Sequence, residues 1–211
     1  MFDIQKVRDD FPILGRQVNG KPLVYLDNGA SAQKPQVVID AIYTAYAEEY
    51  ANVHRGLHTL STIATEKYEG VRAKIAHFLN SGSEDNIILN SGTTEGINMV
   101  SYGWAAPRMQ AGDEIVLSIM EHHANIVPWQ LVAEKTGAII KAVRLNDDFS
   151  LDMAHYRQLL SQSPKLVAIS HVSNAIGSIN PIDTIISLAK AAGAVTLVDG
   201  AQAVSHFALD M

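Results

Sequence analysis

The sequence predicts an α/β fold with a mostly parallel sheet and helices on both faces. Three observations carry this reading. From residue 86 onward, short apolar runs alternate with stretches of helical periodicity, the rhythm of βαβ units. The runs are nearly unbroken in apolar or β-branched residues, as in Val195-Thr196-Leu197-Val198, which is the pattern of strands buried on both faces. The suggestive polar motifs all follow such runs, and in open α/β sheets the loops at the carboxyl ends of strands are where ligands bind.

Taken in order, residues 1–20 hold a short amphipathic piece (Ile4, Val7, Phe11), then Pro12 and a turn at Asn19-Gly20. Leu23-Val24-Tyr25-Leu26 is a brief extended run ending in the small, polar segment 27–32. Pro35 suits a helix start, and Val37, Val38, Ala41, Ile42, Ala45 and Tyr46 recur at helical spacing. A polar loop over 52–58 separates this helix from a second, with Leu60, Ile63, Ala64, Tyr68, Val71, Ile75, Phe78 and Leu79 on one face. Five strands are then expected, at 86–90, 115–118, 139–143, 166–170 and 195–199, with helices near 94–104, 125–136, 151–161 and 182–192 between them.

The chain has 211 residues, 47% hydrophobic and 18% charged, enough for a domain with a sizeable core. A net charge of −6 without a basic block argues against nucleic acid. The absence of cysteine excludes disulfides, thiolate metal sites and a cysteine nucleophile within these residues. The N-terminus does not read as a signal peptide, and no apolar run approaches the roughly 20 residues of a membrane span. A cytoplasmic protein without a membrane partner is the expectation.

Five positions bear on chemistry. Gly92-Thr93-Thr94-Glu95 stands between a predicted strand and helix, where backbone N–H groups and hydroxyls suit a phosphate. The plainer reading is an N-cap by Thr93 or Thr94 with Glu95 in the first turn. His122-His123 follows another strand. Adjacent histidines point apart, which disfavours a shared metal, whereas one of them could stack on a flat ligand or move a proton; a hydrogen-bonded loop histidine is the plainer reading. Asn174 lies just beyond the third of these strand ends in an ordinary turn composition. Asp199 ends the last strand and reads equally as a metal ligand, a helix N-cap or the partner of a cationic ring nitrogen. His54-Arg55 falls in the N-terminal polar loop, where an Arg binds carboxylates or is simply solvated.

Together these stretches resemble one family. Tyr25-Leu26-Asp27 with 30–35 (ASAQKP), Asn52-Val53-His54-Arg55-Gly56, 92–98 (GTTEGIN), 120–129 (MEHHANIVPW), His171-Val172-Ser173-Asn174 and Val198-Asp199-Gly200-Ala201-Gln202 are similar, in order along the whole chain, to the group II cysteine desulfurases. These are the SufS/CsdA-type enzymes, also described as selenocysteine lyases, of the class V aminotransferase superfamily. The resemblance implies the type I fold of pyridoxal-5′-phosphate enzymes, a homodimer, L-cysteine as substrate, alanine as product, and a persulfide handed to an acceptor of the SufE/SufU type for iron–sulfur cluster assembly. It assigns Asp199 to the pyridinium nitrogen, His122 to the ring face as the catalytic histidine, Gln202 to the phenolic oxygen, and Thr94 with the Thr93 backbone to the phosphate. Asn174 would orient the substrate carboxylate, and His54 and Arg55 would line the entrance. No metal is implied. Selenocysteine, cysteine sulfinate or another amino acid as substrate stays open, as does a non-catalytic, heterodimerising role.

Two motif positions depart from the family: Ser91 stands where Arg is common, and Asn28-Gly29 where Ser-Ala is usual. The family's cofactor-bearing lysine lies in a Ser-Gly-His-Lys motif that these residues lack, and Lys141 and Lys190 fall within a strand and a helix instead. The resemblance therefore implies that residues 1–80 form the N-terminal segment and part of a small domain, and 81–211 the first part of the large cofactor-binding domain. It further implies an N-terminal portion that is inactive alone, since imine exchange needs the lysine. With two later strands of the type I fold missing, 86–90 would lack sheet neighbours and 195–199 would present an exposed edge.

Overall fold

The computed structural model describes residues 2–211 and divides into two compact units, one reaching to Ile88 and including Asp210–Met211, the other spanning Leu89–Leu209.

In the first unit, α1 (Ile4–Asp9) is capped by Asp3, whose Oδ1 accepts from the Gln5 and Lys6 N–H groups at 3.1 and 3.2 Å. A 3-10 turn over Pro12–Gly15 leads into a hairpin of β1 (Gln17–Val18) and β2 (Lys21–Pro22). Its turn is Asn19-Gly20, both left-handed at φ 53° and 73°, as a two-residue loop between twisted strands requires. Leu23–Leu26 follows the hairpin but joins no strand ladder, and Val24 and Leu26 are exposed. α2 (Gln36–Ala47) begins directly after Pro35 and buries none of its residues. α3 (Thr59–Phe78) is capped by His58 and buries Ser61 and Ala76.

One expected strand is absent. Residues 84–86 form a 3-10 turn capped by Ser83, and 86–90 pair with no strand among the described residues. Ile87 is extended (φ −100°, ψ 119°), but extended backbone becomes a strand only where a neighbour meets its N–H and C=O groups. Here the Arg72 guanidinium does part of that work, donating to the Ile87 carbonyl at 3.2 Å and the Glu84 carbonyl at 2.9 Å.

The second unit has the expected alternation. α4 (Thr93–Val100) continues as one π-helical turn over Ser101–Ala105. Then come β3 (Glu114–Ser118), α5 (Val127–Thr136), β4 (Ile139–Val143), α6 (Met153–Leu160), β5 (Leu166–Ser170), α7 (Ile182–Ala191) and β6 (Val195–Asp199). α5 stops at left-handed Gly137 (φ 78°), where a Cβ would sit 2.9 Å from the Ala111 Cβ. The strands form one parallel sheet in the order β4-β3-β5-β6.

Alternate side chains of the central strands enter two separate cores. Ile115, Leu117, Leu166 and Ala168 pack with Ile97, Ala105, Trp129 and Val132 from α4, the π turn and α5. Val116, Val167 and Ile169 pack with Tyr156 and Leu160 of α6 and with Ile185 and Ala189 of α7. Each fully buried Val, Leu or Ile contributes about 1.5–3 kcal/mol relative to exposure. Helices therefore cover both faces, and the outgoing connections of β3 and β5 run to opposite faces. That reversal is a topological switch point, and the strand ends beside it are the usual ligand position in open α/β sheets. The pairing reflects it: β3–β4 and β5–β6 run through five pairs each, but β3–β5 pairs only at Ile115–Leu166 and Val116–Val167.

Candidate active site

Thr93, Thr94, His122, Asn174, Asp199 and Gln202 all lie in the second unit; His54 and Arg55 belong to the first. His122, Asn174 and Asp199 each sit at or just beyond the carboxyl end of a parallel strand, β3, β5 and β6 respectively.

α4 opens at Gly92, whose φ of 140° and ψ of 173° are open only to glycine. No side chain caps the helix, so the N–H groups of its first turn are not consumed by a cap. The Thr93 and Thr94 residues are exposed beside them. Glu95 is turned back onto Ser91, accepting from its N–H at 2.7 Å and from its hydroxyl. These hydrogen bonds, the hydroxyl first, hold the Glu95 carboxyl below the usual carboxylate range. Ser91, where the related motif commonly has Arg, thus occupies the one acidic group of this turn.

His122 is exposed and caps a 3-10 turn over His123–Asn125, its Nδ1 accepting from the Ala124 N–H at 3.1 Å. That contact leaves the Nε2 edge of the ring outward. The His122 and His123 rings meet edge-on, with centroids 5.9 Å apart and planes at 76°, an arrangement that does not converge on a common ligand.

Asp199 is buried at the end of β6, 7% exposed. Its Oδ1 accepts from the Ala201 N–H at 3.0 Å, and its backbone carbonyl accepts from the His171 N–H at 2.9 Å. Gln202 lies three residues on, half-buried, in the turn that follows β6. Asn174 is exposed at the tip of a tight loop, where the Ser173 hydroxyl accepts from the Ala175 and Ile176 N–H groups at 3.3 and 3.4 Å.

In the first unit, His54 is left-handed (φ 67°) and tied to α3. Its N–H donates to the Thr65 hydroxyl at 2.9 Å, its Nε2 lies 3.1 Å from Glu69, and its ring meets the edge of Tyr68. Buried Ser61 holds the same loop, donating to the Asn52 carbonyl at 2.6 Å and accepting from the Gly56 N–H at 3.0 Å.

Sequence reasoning missed a buried polar network beneath His122. Glu121 accepts from Ser118 Oγ (2.5 Å) on one oxygen and from Asn125 Nδ2 (2.7 Å), the Ser170 N–H (2.9 Å) and Ser170 Oγ (2.5 Å) on the other. Trp129 Nε1–H donates to Asn125 Oδ1 at 2.9 Å, and Asn180 Nδ2 donates to the Ser170 carbonyl at 2.7 Å. All of these residues are buried. The sequence carries no periodic signal for it, because Glu121 falls in a loop, Asn125 in a 3-10 turn and Trp129 in α5.

The chain resembles known proteins throughout. It is 49% identical over 205 residues to a probable cysteine desulfurase of Synechocystis sp., covering 97% of this chain and 49% of that protein. It is 51% identical over 210 residues to a cysteine desulfurase of Enterobacter sp., covering 100% of this chain and 52% of the relative. Among solved structures, the apo cysteine desulfurase of Thermococcus onnurineus NA1 matches with a TM-score of 0.91 at 34% identity, over 99% of this chain and 50% of that one. The cysteine desulfurase CsdA of Escherichia coli matches at 0.85 and 37%, over 100% and 51%. The chain thus spans about half the length of these relatives. The family model for aminotransferase class-V matches residues 24–211, and the chain belongs to that family.

Proposed function

We propose that this chain serves a pyridoxal-5′-phosphate-dependent cysteine desulfurase, and that its own residues bind the cofactor's ring and phosphate. The carrying observation is the buried carboxylate of Asp199 at a strand end of the same parallel sheet that carries His122, in a unit whose α4 starts uncapped at Thr93. The cofactor supplies an electron sink for the bonds at a substrate amino acid's α-carbon. Asp199, desolvated and fixed by Ala201, holds a proton on the pyridinium nitrogen. His122 covers the ring face, and Gln202 donates to the phenolic oxygen. The Thr94 hydroxyl and the Thr93 N–H hold the phosphate at the start of α4, where the helix dipole favours an anion. Asn174 helps to orient the substrate carboxylate.

The donor set fits such a group in kind: a buried acid suits a cationic nitrogen, and uncapped N–H groups with exposed hydroxyls suit an anion. The reading places 1–80 in an N-terminal segment and 81–211 in the first part of the cofactor-binding domain. It names L-cysteine as substrate and a persulfide as the sulfur carrier, with a homodimer and an acceptor of the SufE/SufU type as partners. Sulfur transfer itself needs a thiol that residues 1–211 do not contain.

The test is titration of the chain with pyridoxal phosphate, followed by absorbance and by quenching of tryptophan emission. Saturable binding is expected, weakened about tenfold or more by Asp199→Asn and by Thr94→Val, the scale of one charge-assisted hydrogen bond. Affinity unaffected by both substitutions would refute the assignment.

A further inference from the structure

We propose that Glu121 is the positioning residue of this site: its carboxylate fixes the ring of His122 relative to Asp199. The proposal rests on the cofactor reading of those two residues.

The ladder between β3 and β5 stops at Val116–Val167, while β5 and β6 stay paired to Ser170–Asp199. The carboxyl ends of β3 and β5 are therefore not joined by backbone hydrogen bonds. The Glu121 carboxylate joins them instead, taking the Ser118 hydroxyl from β3 and both the N–H and the hydroxyl of Ser170 from β5. A buried strand end would otherwise leave the Ser170 N–H without a partner, at a cost of about 1–3 kcal/mol.

The same carboxylate reaches His122 by two routes. One is the peptide bond between them. The other is Asn125, whose side chain is clamped between Glu121 and Trp129, and whose N–H donates to the His122 carbonyl at 2.7 Å. The turn so held presents the Ala124 N–H to His122 Nδ1, which sets the ring's rotation. On the far side, Ser170 is the pairing partner of Asp199, and the next residue, His171, donates to the Asp199 carbonyl. One side chain therefore ties together the element that carries His122 and the strand beside the one that carries Asp199.

Among the described residues no Lys, Arg or His forms an ion pair with Glu121. A buried acid held only by neutral donors is a costly way to add stability, because desolvation offsets much of the gain. Its geometric value is particular: two oxygens accept four hydrogen bonds from three different segments.

The experiment compares the 211-residue chain with Glu121→Ala, Glu121→Gln and Ser118→Ala by carbon–proton NMR of the His122 ring, hydrogen exchange at Ser170, thermal melting and pyridoxal phosphate titration. In Glu121→Ala the His122 ring signals are expected to shift and broaden, Ser170 to lose exchange protection, and pyridoxal phosphate affinity to fall about tenfold. Glu121→Gln restores the ring signals, because its carbonyl keeps the Ser170 and Asn125 donors and its amide donates to the Ser118 hydroxyl. Ser118→Ala, which frees only one oxygen, moves the ring signals in the same direction by less, and it decides the matter if Glu121→Ala does not fold. A Glu121→Ala protein that melts lower but keeps the His122 ring signals would overturn the proposal, as would unmoved ring signals in Ser118→Ala. Failure of the unmodified chain to bind pyridoxal phosphate would overturn the cofactor reading instead, and the ring signals would still decide whether Glu121 positions His122.

Discussion

Tyr156→Phe isolates one buried hydroxyl and gives a signature in pH as well as in stability. Tyr156 is fully buried on α6, and its hydroxyl donates to the Ile185 carbonyl of α7 at 2.9 Å. Removing it deletes one buried hydrogen bond to a carbonyl that keeps its helical partner, for a loss of about 1 kcal/mol at neutral pH. Burial also pushes the phenol up to about 12. The folded state therefore keeps its proton through a range in which the unfolded chain, titrating near 10, has released it. Stability from this group is complete below pH 10 and is lost as pH rises toward 12. Taking those two values, the loss by pH 11 is about 1.4 kcal/mol, from RT times the logarithm of roughly a tenfold ratio. Urea unfolding followed by tryptophan emission suits the measurement, because Trp104, Trp129 and Tyr156 share the second unit. The difference between the two proteins should be positive at pH 8 and near zero at pH 11. An equal difference at both would refute the reasoning, since the other alkaline groups titrate in both proteins and cancel.

Three further outcomes follow from the geometry. Lys165 donates to Asp113 at 2.9 Å and to the Arg108 carbonyl at 2.5 Å, and this holds the Asp113 carboxyl below the ordinary range. Lys165→Met should cost about 1 kcal/mol at pH 7, discounted for partial exposure, and the cost should fade as pH drops through the folded Asp113 value, measured by urea midpoints. Gly92→Ala should destabilise by about 1–3 kcal/mol in the same assay through backbone strain alone, because a Cβ there meets nothing within 4 Å. Ser61→Ala should release the loop over 52–56 and speed tryptic cleavage after exposed Arg55 several-fold, at a loss of about 1–3 kcal/mol in local opening.

Most of the second unit was legible because its signals are local. The apolar runs at 115–118, 139–143, 166–170 and 195–199 fall within or on the observed strands, and the helices between them begin and end within a few residues of expectation. The segment 86–90 has the same composition and is not a strand, because pairing is a property of neighbours that composition does not encode. The helical periodicity of α2 was equally clear, yet Val37, Ile42 and Tyr46 are exposed: periodicity marks a face, not what covers it. At the site, Gly92 and the strand-end position of Asp199 could be read directly. Glu121 could not, since a lone acid after a strand reads as a solvated loop charge until the folded chain brings Ser118, Asn125 and Ser170 around it.

The two central strands raise a problem of alignment that their own side chains do not solve. Ile115 and Leu117 face one core and Val116 the other, and Leu166, Ala168, Val167 and Ile169 divide the same way. Where only one face is buried, slipping a strand by one residue drives apolar groups into water, and the error corrects itself. Here a slip would merely exchange one oily layer for another. What distinguishes the right alignment is at the ends, where Ser118 and Ser170 meet a single carboxylate that a shifted strand would miss by a residue's length. The same acid that orders the site thus also acts as a key for assembly, penalising misaligned sheets that hydrophobicity alone would tolerate.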